Sequence, residues 1–520
     1  MDGRGILHRL AELAAPILVS NITSMAVPTV VVAFVGNKGS ATEIAAIGLA
    51  NVFCNVTGRS VMWGLAGAMD TLSTQAWGAK NYDTVGATAR LALLILLFCA
   101  TLPMAVLWCF AGRIMRAVSI DAKVAELVQR FAWYTLPGLF CQTVIAPMQK
   151  SLYAMGQVTP CALALAVSTV AGVVVAYFAI FGTLGFDGAA LALVVQNASS
   201  MLLLMAHCRR DAQCRRCWNG GWTRRHMRAA LSWPQWRAFL RLGVPSCLMT
   251  CVEWWSWEIA TFMVGYISNV ALSAQTIVTT VLNIEYMVES AWASAATTVV
   301  GNLLGANEPR AAAVASRTTC LCGVLLVAVQ AGAVLAARSP IAGAFAGQNA
   351  DVRERTIALL PIATIFQIFD GMQNCITGII TAAGEQRRAM PVITVAYWII
   401  GLPLAAGFEF GLGWGLDGVW WGMIVGVITH TTVYAYILCT MDWSGAATGA
   451  AMRTKAADAA VAPAAGNDTC AGAGAHATTT ITSEGVGASA GAHVDAHDAD
   501  TDTKRALCDS DARQPLLHAS

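Results

Sequence analysis

Twelve apolar stretches, each long enough to cross a lipid bilayer as a helix, dominate this chain. A bilayer core of about 30 Å needs about 20 helical residues at 1.5 Å per residue. Membrane-spanning strands would instead alternate in hydrophobicity over about ten residues, and the chain shows no such alternation. We therefore predict an all-α membrane protein with twelve transmembrane helices. The predicted spans are 13–35, 43–69, 87–111, 123–147, 159–182, 187–208, 242–267, 271–300, 318–337, 356–382, 389–411 and 417–441.

The composition supports lipid as the solvent for most of the chain. Hydrophobic residues make up 57% of the sequence and charged residues only 12%, whereas soluble domains carry about 25% charge. This excludes a soluble enzyme and a wholly disordered protein. The net charge of +2 gives no reason to expect a nucleic-acid partner. No P-loop motif occurs, so nothing in the chain indicates ATP as an energy source.

Basic residues in the loops predict the orientation of the helices. The loop 209–241 carries nine arginines against one acid, Asp211, and the positive-inside rule places such a loop in the cytosol. An even number of spans precedes and follows this loop. Both termini are therefore expected to be cytosolic.

The two halves of the chain repeat each other at a shift of 224 to 230 residues. An even number of spans per repeat inserts both halves the same way round, so the pseudo-twofold axis runs along the membrane normal. Two six-helix lobes that rock about a central cleft are the architecture of a secondary transporter. The matching pairs are Leu13–Pro16 with Leu242–Pro245, Gly78–Lys80 with Gly305–Asn307, Met148-Gln149 with Met372-Gln373, Gly156-Gln157 with Gly384–Gln386, and Leu184–Gly188 with Trp414–Gly418.

The predicted organisation has five parts. From Ser444 onward Ala, Gly, Thr, Asp and His replace the apolar residues, and such a segment buries too little apolar surface to offset its ordering entropy. We predict a cytosolic N-terminus at 1–12, an N-terminal lobe at 13–208, a basic cytosolic loop at 209–241, a C-terminal lobe at 242–443 and a disordered cytosolic tail at 444–520.

Acidic residues inside the predicted spans are the strongest functional candidates. A carboxylate in hydrocarbon costs up to about 3 kcal/mol on insertion scales, so such residues usually face the bundle interior and serve transport. A carboxyl kept from water favours its protonated form, so protons and a cationic substrate can compete for it. The candidates for proton or cation coupling are Glu253, Asp370, Glu258, Glu285 and Glu289, and Asp70 lies near one end of span two.

Polar and aromatic neighbours of these acids are candidates for substrate binding. Trp and Tyr rings offer cation–π faces worth about 0.5–2 kcal/mol each, although Trp also forms belts at membrane interfaces. Gln373 and Asn374 lie on the same side of the helix as Asp370. The candidates are Trp254, Trp257, Tyr286, Gln373, Asn374, Gln75 and Asp70.

Two further features remain open at the level of sequence. Arg59 lies in the middle of span two and either pairs with an acid or lines the cleft. Cys208, Cys214 and Cys217 flank arginines. A metal site there lacks a clear fourth ligand and a lipid anchor is an alternative, so we interpret them as free thiols and predict no metal and no cofactor.

Five segments of the chain form a specific set of motifs. They are Ala68–Tyr82, Gly156–Pro160, Glu253–Glu258, Val300–Ala306 and Asp370–Gln373. With these segments the sequence resembles the eukaryotic branch of the multidrug and toxic compound extrusion (MATE) family, and the resemblance covers about residues 5–443.

The resemblance implies twelve helices in two lobes and efflux of organic, mostly cationic compounds in exchange for protons or sodium. It also implies that Glu253 and Asp370 are the central acids of a proton site in the C-terminal lobe. The chain departs from relatives in span eight, where Thr280 stands in place of a Glu and Glu289 in place of a Pro. Span one has no acid, unlike that of many bacterial relatives.

We therefore predict a proton-coupled antiporter, not an enzyme, that exports organic cations by alternating access. Sodium coupling and export of anionic metabolites, such as organic acids or flavonoid conjugates, are the alternatives. The predicted partners are small organic cations and the lipid bilayer, and we expect a monomer. The membrane is either the plasma membrane or a vacuolar or lysosomal one.

Overall fold

The computed structural model describes residues 3–38, 40–218, 227, 230–346 and 349–461, and within these ranges all regular secondary structure is helical. Twelve long helical segments follow one another in these ranges. They are α1 (Gly3–Lys38), α2 (Thr42–Gly78), α3 (Tyr82–Cys109), α4 (Ala122–Ala154), α5 (Val158–Phe181), α6 (Asp187–Arg210), α7 (Trp233–Val264), α8 (Asn269–Gly305), α9 (Pro309–Ala346), α10 (Ala350–Ala383), α11 (Gln386–Gly411) and α12 (Gly415–Cys439).

Nine of these segments are long and apolar enough to cross a membrane within the residues that the structure describes. The remaining three, α4, α7 and α8, are of similar length, 33, 32 and 37 residues, but are more polar. Segments α7 and α8 each carry two of the candidate acids. The twelve-helix prediction is thus confirmed, and the two acids in each of α7 and α8 make these helices less apolar than their neighbours.

The backbone carries the internal repeat that the sequence predicts. Residues with positive φ, which glycine adopts easily and other residues rarely, occur at matching turns of the two halves. The same turns are therefore built at the ends of matching helices. The pairs are Lys80 (φ 59°) with Asn307 (60°), Gly156 (75°) with Gly384 (83°), and Gly185 (54°) with Gly415 (57°).

Two ion pairs repeat in the same way. Arg130 of α4 pairs with Asp187 at the start of α6. Arg355 of α10 pairs with Asp417 at the start of α12, with Nη2 and Oδ1 2.9 Å apart. Each pair ties the fourth helix of a lobe to the sixth helix of that lobe, at the end opposite the loop 209–241.

The lobes meet closely at what we call the linker end, where α2 and α8 end and the chain passes from one half to the other. A Cβ added to Gly78 would lie 2.0 Å from the carbonyl oxygen of Asn302, and one added to Gly305 would lie 2.1 Å from that of Gln75. Gly78 and Gly305 are partners in the repeat. The two helices therefore touch backbone to backbone across the pseudo-twofold axis, which only glycine permits.

Arg59 stays within its own segment. A π-helical turn at Asn55–Arg59 interrupts α2, and the Arg59 Nη2 donates to the backbone oxygen of Asn51 at 3.1 Å and to its Oδ1 at 3.3 Å. The guanidinium therefore satisfies part of its hydrogen bonding locally and forms no recorded ion pair with an acid among the described residues.

Two boundaries around the N-terminal lobe and the loop 209–241 differ from the prediction. Helix α1 already begins at Gly3, so most of the predicted N-terminal segment 1–12 is helical, and α7 begins at Trp233 inside the predicted loop 209–241. A short helix at Ala212–Cys217, the linker helix, also lies within that loop.

The predicted disordered tail begins too early. Residues Trp443–Val461 form a further helix, α13, that buries Ala447 and Ala450 against the two lobes. Arg453 of α13 donates from Nε to Gln75 Oε1 at 3.0 Å and from Nη2 to the backbone oxygen of Ala383 at 3.0 Å. Helix α13 thus bridges both lobes at the linker end, and the rest of the predicted tail lies outside the described residues.

Candidate functional site

A side-chain amide joins two of the predicted acids across two helices of the C-terminal lobe. Gln373 of α10 donates from Nε2 to Glu253 Oε1 of α7 at 3.1 Å and to Asp370 Oδ1, one turn earlier on its own helix, at 3.4 Å. Asp370 is 6% exposed and Glu253 is half-buried. The structure therefore brings the two main candidates together around one amide.

A third carboxyl joins this region from α8. Glu289 is fully buried, and its Oε1 accepts from Gln367 Nε2 of α10 at 2.9 Å. Gly371, next to Asp370, makes room for it, because a Cβ there would lie 2.4 Å from Glu289 Oε1. Neither Gln367 nor Gly371 was a sequence candidate, since only the packing of α8 on α10 shows their role.

Glu285 lies one turn before Glu289 on α8 and is 6% exposed. Neither of its carboxyl oxygens has a hydrogen-bond partner among the residues that the structure describes. Gln330 of α9 donates to its backbone oxygen at 3.1 Å but leaves the carboxyl alone. A buried polar group without a partner is costly, so this carboxyl is available for a proton or a ligand.

We call Glu253, Glu285, Glu289 and Asp370 the acid cluster. Tyr286 and Asn374 lie side by side at the same level, so the predicted polar neighbours are also present. Among the described residues, no Lys, Arg or His forms an ion pair with any member of the cluster. Because burial disfavours an unpaired carboxylate, the cluster needs protons or an external cation to be neutralised.

Glu258 does not join the acid cluster. It is half-buried on α7 and lies beside Asn55 of α2, at the boundary between the two lobes. Its position, five residues after Glu253, turns it to a different face of α7. Any coupling role for Glu258 remains a prediction.

The tryptophans of α7 differ in their surroundings. Trp257 packs edge-to-face on Phe366 with ring centroids 4.8 Å apart and on Trp420 at 5.5 Å. The ring of Trp257 is therefore already in contact with other aromatic side chains. Trp254 is half-buried and faces no recorded ring within the described residues, which leaves it the better candidate for a cation–π contact.

Two candidates from the N-terminal lobe lie at the linker end instead. Asp70 forms an ion pair with Lys150, with Oδ2 and Nζ 2.6 Å apart. Gln75 is 1% exposed, donates from Nε2 to the backbone oxygen of Ala382 at 2.7 Å and accepts from Arg453. Both side chains hold helices together at this end, and the structure does not bring them to the acid cluster.

The same end holds further contacts between lobes. Gln386 of α11 donates from Nε2 to Thr71 Oγ1 of α2 at 2.7 Å, and Asn302 of α8 donates to the backbone oxygen of Ala154 at 3.3 Å. Together with Gln75, these bonds close the linker end between the lobes.

Comparison with known proteins agrees with this arrangement. The MatE family model matches the chain twice, at residues 16–178 and 245–406, and the two matches start 229 residues apart. The chain belongs to the MatE family. The two matches fall on the two lobes, which independently supports the internal repeat, and the predicted family membership is confirmed.

Named relatives of this MatE protein are extrusion proteins. It is 31% identical to multidrug and toxin extrusion protein 1 of Danio rerio over 445 residues, which cover 85% of this chain and 74% of that protein. It is 28% identical to protein DETOXIFICATION 1 of Arabidopsis thaliana, covering 84% of this chain and 90% of that one.

A solved structure shows the same fold. The eukaryotic MATE transporter AtDTX14 superposes with a TM-score of 0.80 at 26% identity, covering 87% of this chain and all of that one. The MatE chain is therefore a multi-pass integral membrane transporter and not an enzyme, as the sequence predicts.

Proposed function

We propose that this MatE protein exports organic cations in exchange for protons. The supporting observation is the acid cluster, which gathers four carboxyl groups from α7, α8 and α10 without a basic partner among the described residues. Such a cluster is neutralised either by protons or by a positively charged substrate. Protons and substrate then bind in alternation, which is the requirement for antiport.

The geometry provides a route by which the two ligands exclude each other. Gln373 contacts Glu253 and Asp370 at the same time, so a change at one carboxyl reaches the other through a single amide. A cation that replaces the proton on either acid changes the hydrogen bonding of both. Gly371 leaves Glu289 close enough to respond as well.

The contacts at the linker end supply one gate of an alternating-access cycle. In the structure, Gln75, Gln386 and Asn302 join the lobes at this end. These are a small number of hydrogen bonds, each worth about 0.5–1.5 kcal/mol net. We propose that they open when the cycle exposes the acid cluster to the other side.

We also propose that the linker end is cytosolic and that both termini lie there. The loop 209–241 and the exposed arginines of the linker helix carry the positive charge that favours the cytosolic face. We further propose that the chain is divided into these two lobes and that it resides in the plasma membrane or in a vacuolar membrane. We propose a monomer, because each chain supplies both lobes of the cleft.

A flux assay in proteoliposomes tests the proposal. Purified protein is reconstituted with an imposed proton gradient, an imposed sodium gradient at constant pH, or neither, and uptake of a labelled quaternary ammonium ion is measured. We expect the proton gradient to accelerate counter-transport and the sodium gradient to leave it unchanged. Acceleration by sodium alone would replace the coupling ion, and transport of organic anions instead of cations would replace the substrate class.

A further inference from the structure

A second group of chemically active side chains lies at the linker end, apart from the acid cluster. His207 stands in the last turn of α6, Asp211 follows that helix, and Cys214 lies in the linker helix Ala212–Cys217. One ligand atom of each, a ring nitrogen, a carboxyl oxygen and the sulfur, lies within 4.8 Å of the others. We call these residues, together with Cys208, the linker cluster.

One glutamine side chain shows how closely the three groups converge. Gln157, at the start of α5, has its Oε1 3.1 Å from His207 Nε2, and the same oxygen accepts from Cys214 Sγ at 3.5 Å. Its Nε2 donates to Asp211 Oδ1 at 3.0 Å. Two chain segments are thus held around a single amide.

Cys208, which the sequence analysis paired with Cys214 and Cys217, supplies a fourth donor beside His207 and Asp211. It neighbours His207 in the chain, is half-buried, and lies within hydrogen-bonding reach of Cys214. Nitrogen, sulfur and carboxyl oxygen in a group of four are the donor set of tetrahedral zinc sites. Bonds of about 2.0–2.3 Å place tetrahedral ligands about 3.3–3.8 Å apart, so the 4.8 Å spread of the His207, Asp211 and Cys214 ligand atoms closes with small side-chain rotations. Cys208 contacts Cys214 and must turn its sulfur toward the other two ligands to complete the set.

Charge favours a cation here despite the basic loop. Two thiolates and one carboxylate bring three negative charges against the two positive charges of the metal ion. Four exposed arginines, Arg209, Arg210, Arg215 and Arg216, flank the linker cluster and offset the excess negative charge.

We propose that His207, Cys208, Asp211 and Cys214 bind a zinc-type divalent metal ion. Binding places the ion where protons now join His207 and Cys214 to Gln157. The two thiol protons leave to solvent. The proton on His207 Nε2 also leaves while Nδ1 takes one up from solvent, so the neutral ring binds the ion through the freed lone pair of Nε2. Asp211 can use its second oxygen, because the bonds from Gln157 and from the Cys214 backbone N–H both reach Oδ1.

The ion would fix the start of the linker to the N-terminal lobe. The linker helix already lies against α3, since a Cβ on Gly86 would come within 1.7 Å of the Cys217 backbone oxygen. Coordinate bonds from α6 and from the linker helix to one metal ion would join the two helices at this contact. The loop that connects the two lobes would then leave the N-terminal lobe at a fixed point.

Cobalt spectroscopy tests this site, since Co²⁺ reports tetrahedral sulfur ligation by its visible absorption. The full chain, purified in detergent under reducing conditions, is titrated with Co²⁺ alone. We expect one equivalent to bind with tetrahedral and sulfur-to-metal bands and to be displaced by Zn²⁺. Cys214→Ser and His207→Gln should each lower the affinity for Co²⁺ by more than about tenfold. Even the loss of a residue that only supports a metal ligand typically lowers metal affinity by about 10–100-fold.

Matched variants separate the site from the other thiols. Cys439→Ser makes the same change at an exposed thiol at the end of α12 and should leave the cobalt spectrum unchanged. If Cys214→Ser, at a buried position, does not fold, then Cys208→Ser and His207→Gln at half-buried positions decide. An octahedral spectrum in the wild type, or full tetrahedral binding in both of these variants, would overturn the proposal.

Discussion

The two lobes share a scaffold but differ in the chemistry of their interiors. Matching turns, ion pairs and contact glycines occur in both halves. The acids do not repeat. At the offsets of the matching motifs, 229, 224 and 227 residues, Glu253, Asp370, Glu285 and Glu289 correspond to Ser24, Ala146, Gly58 and Met62. This contrast underlies our proposal that the shared scaffold provides the movement of the lobes and that the acids of the C-terminal lobe provide the coupling.

The largest expected effect comes from removing the acids that break the symmetry. Glu253→Gln and Asp370→Asn keep the shape of each side chain and the bond from Gln373, but neither group can then exchange a proton. We expect proton-driven cation flux in proteoliposomes to fall by at least about 100-fold, the scale of losing a group needed for proton transfer. The control is Glu354→Gln. Glu354 lies on α10, as Asp370 does, but its carboxyl is exposed, so this variant should transport normally.

The contact glycines test the shared scaffold. Gly78→Ala and Gly305→Ala each place a methyl group into the opposite backbone, at 2.0 and 2.1 Å. Overpacking costs about 1–3 kcal/mol, so both should shift the protein away from the state that is closed at the linker end. Thiol labelling of a cysteine introduced at Gln75 should rise in both backgrounds. Gly48→Ala, in an open part of α2, should not change it, and an effect from only one of the pair would contradict the symmetry.

A smaller effect is expected at Gly371, which belongs only to the C-terminal lobe. Its counterpart at the offset of 224 is Pro147, so the N-terminal lobe has no equivalent gap. Gly371→Ala should push Glu289 away from Gln367 and lower transport several-fold, with little loss of folded protein. Gly332→Ala on α9, with open space around it, is the matched change. Equal transport by both variants would remove Glu289 from the mechanism.

The smallest effect tests the repeated ion pairs. Asp187→Asn and Asp417→Asn break equivalent bonds to Arg130 and Arg355. These pairs are partly exposed, so each should cost less than about 1 kcal/mol of stability. Thermal melts in detergent should shift slightly and by similar amounts for the two variants. A large shift for only one of them would show that the two ion pairs contribute unequally to the stability of their lobes.

Much of the fold was predictable because its causes are local in the sequence. Apolar length set the twelve helices, and short turn motifs revealed the repeat. The bridge from Gln373 to Glu253 and Asp370 was partly predictable, since both acids and the amide were candidates. Gln367 and Gly371 were not, because their roles depend on how α8 packs on α10. Gln75 and Asp70 looked like cavity residues, although their partners lie at the linker end.

Helix α13 was missed, and Cys208 and Cys214 of the linker cluster were interpreted as free thiols, for different reasons. The composition of residues 444–461 was judged together with that of the low-complexity tail that follows, although the alanines of this segment strongly favour a helix. In the linker cluster, His207 and Asp211 are four residues apart at a helix end, a spacing that signals one face. The role of Gln157 comes from a distant part of the chain and required the structure.

The most direct test of the asymmetry is proton release on substrate binding. A quaternary ammonium ion carries a charge that does not titrate, so it is added to the detergent-solubilised protein in weak buffer while pH is recorded. We expect the wild type to release protons as the cation binds, and Glu253→Gln with Asp370→Asn to release none. Saturable binding by the wild type without any proton release would contradict the coupling that we assign to the acid cluster.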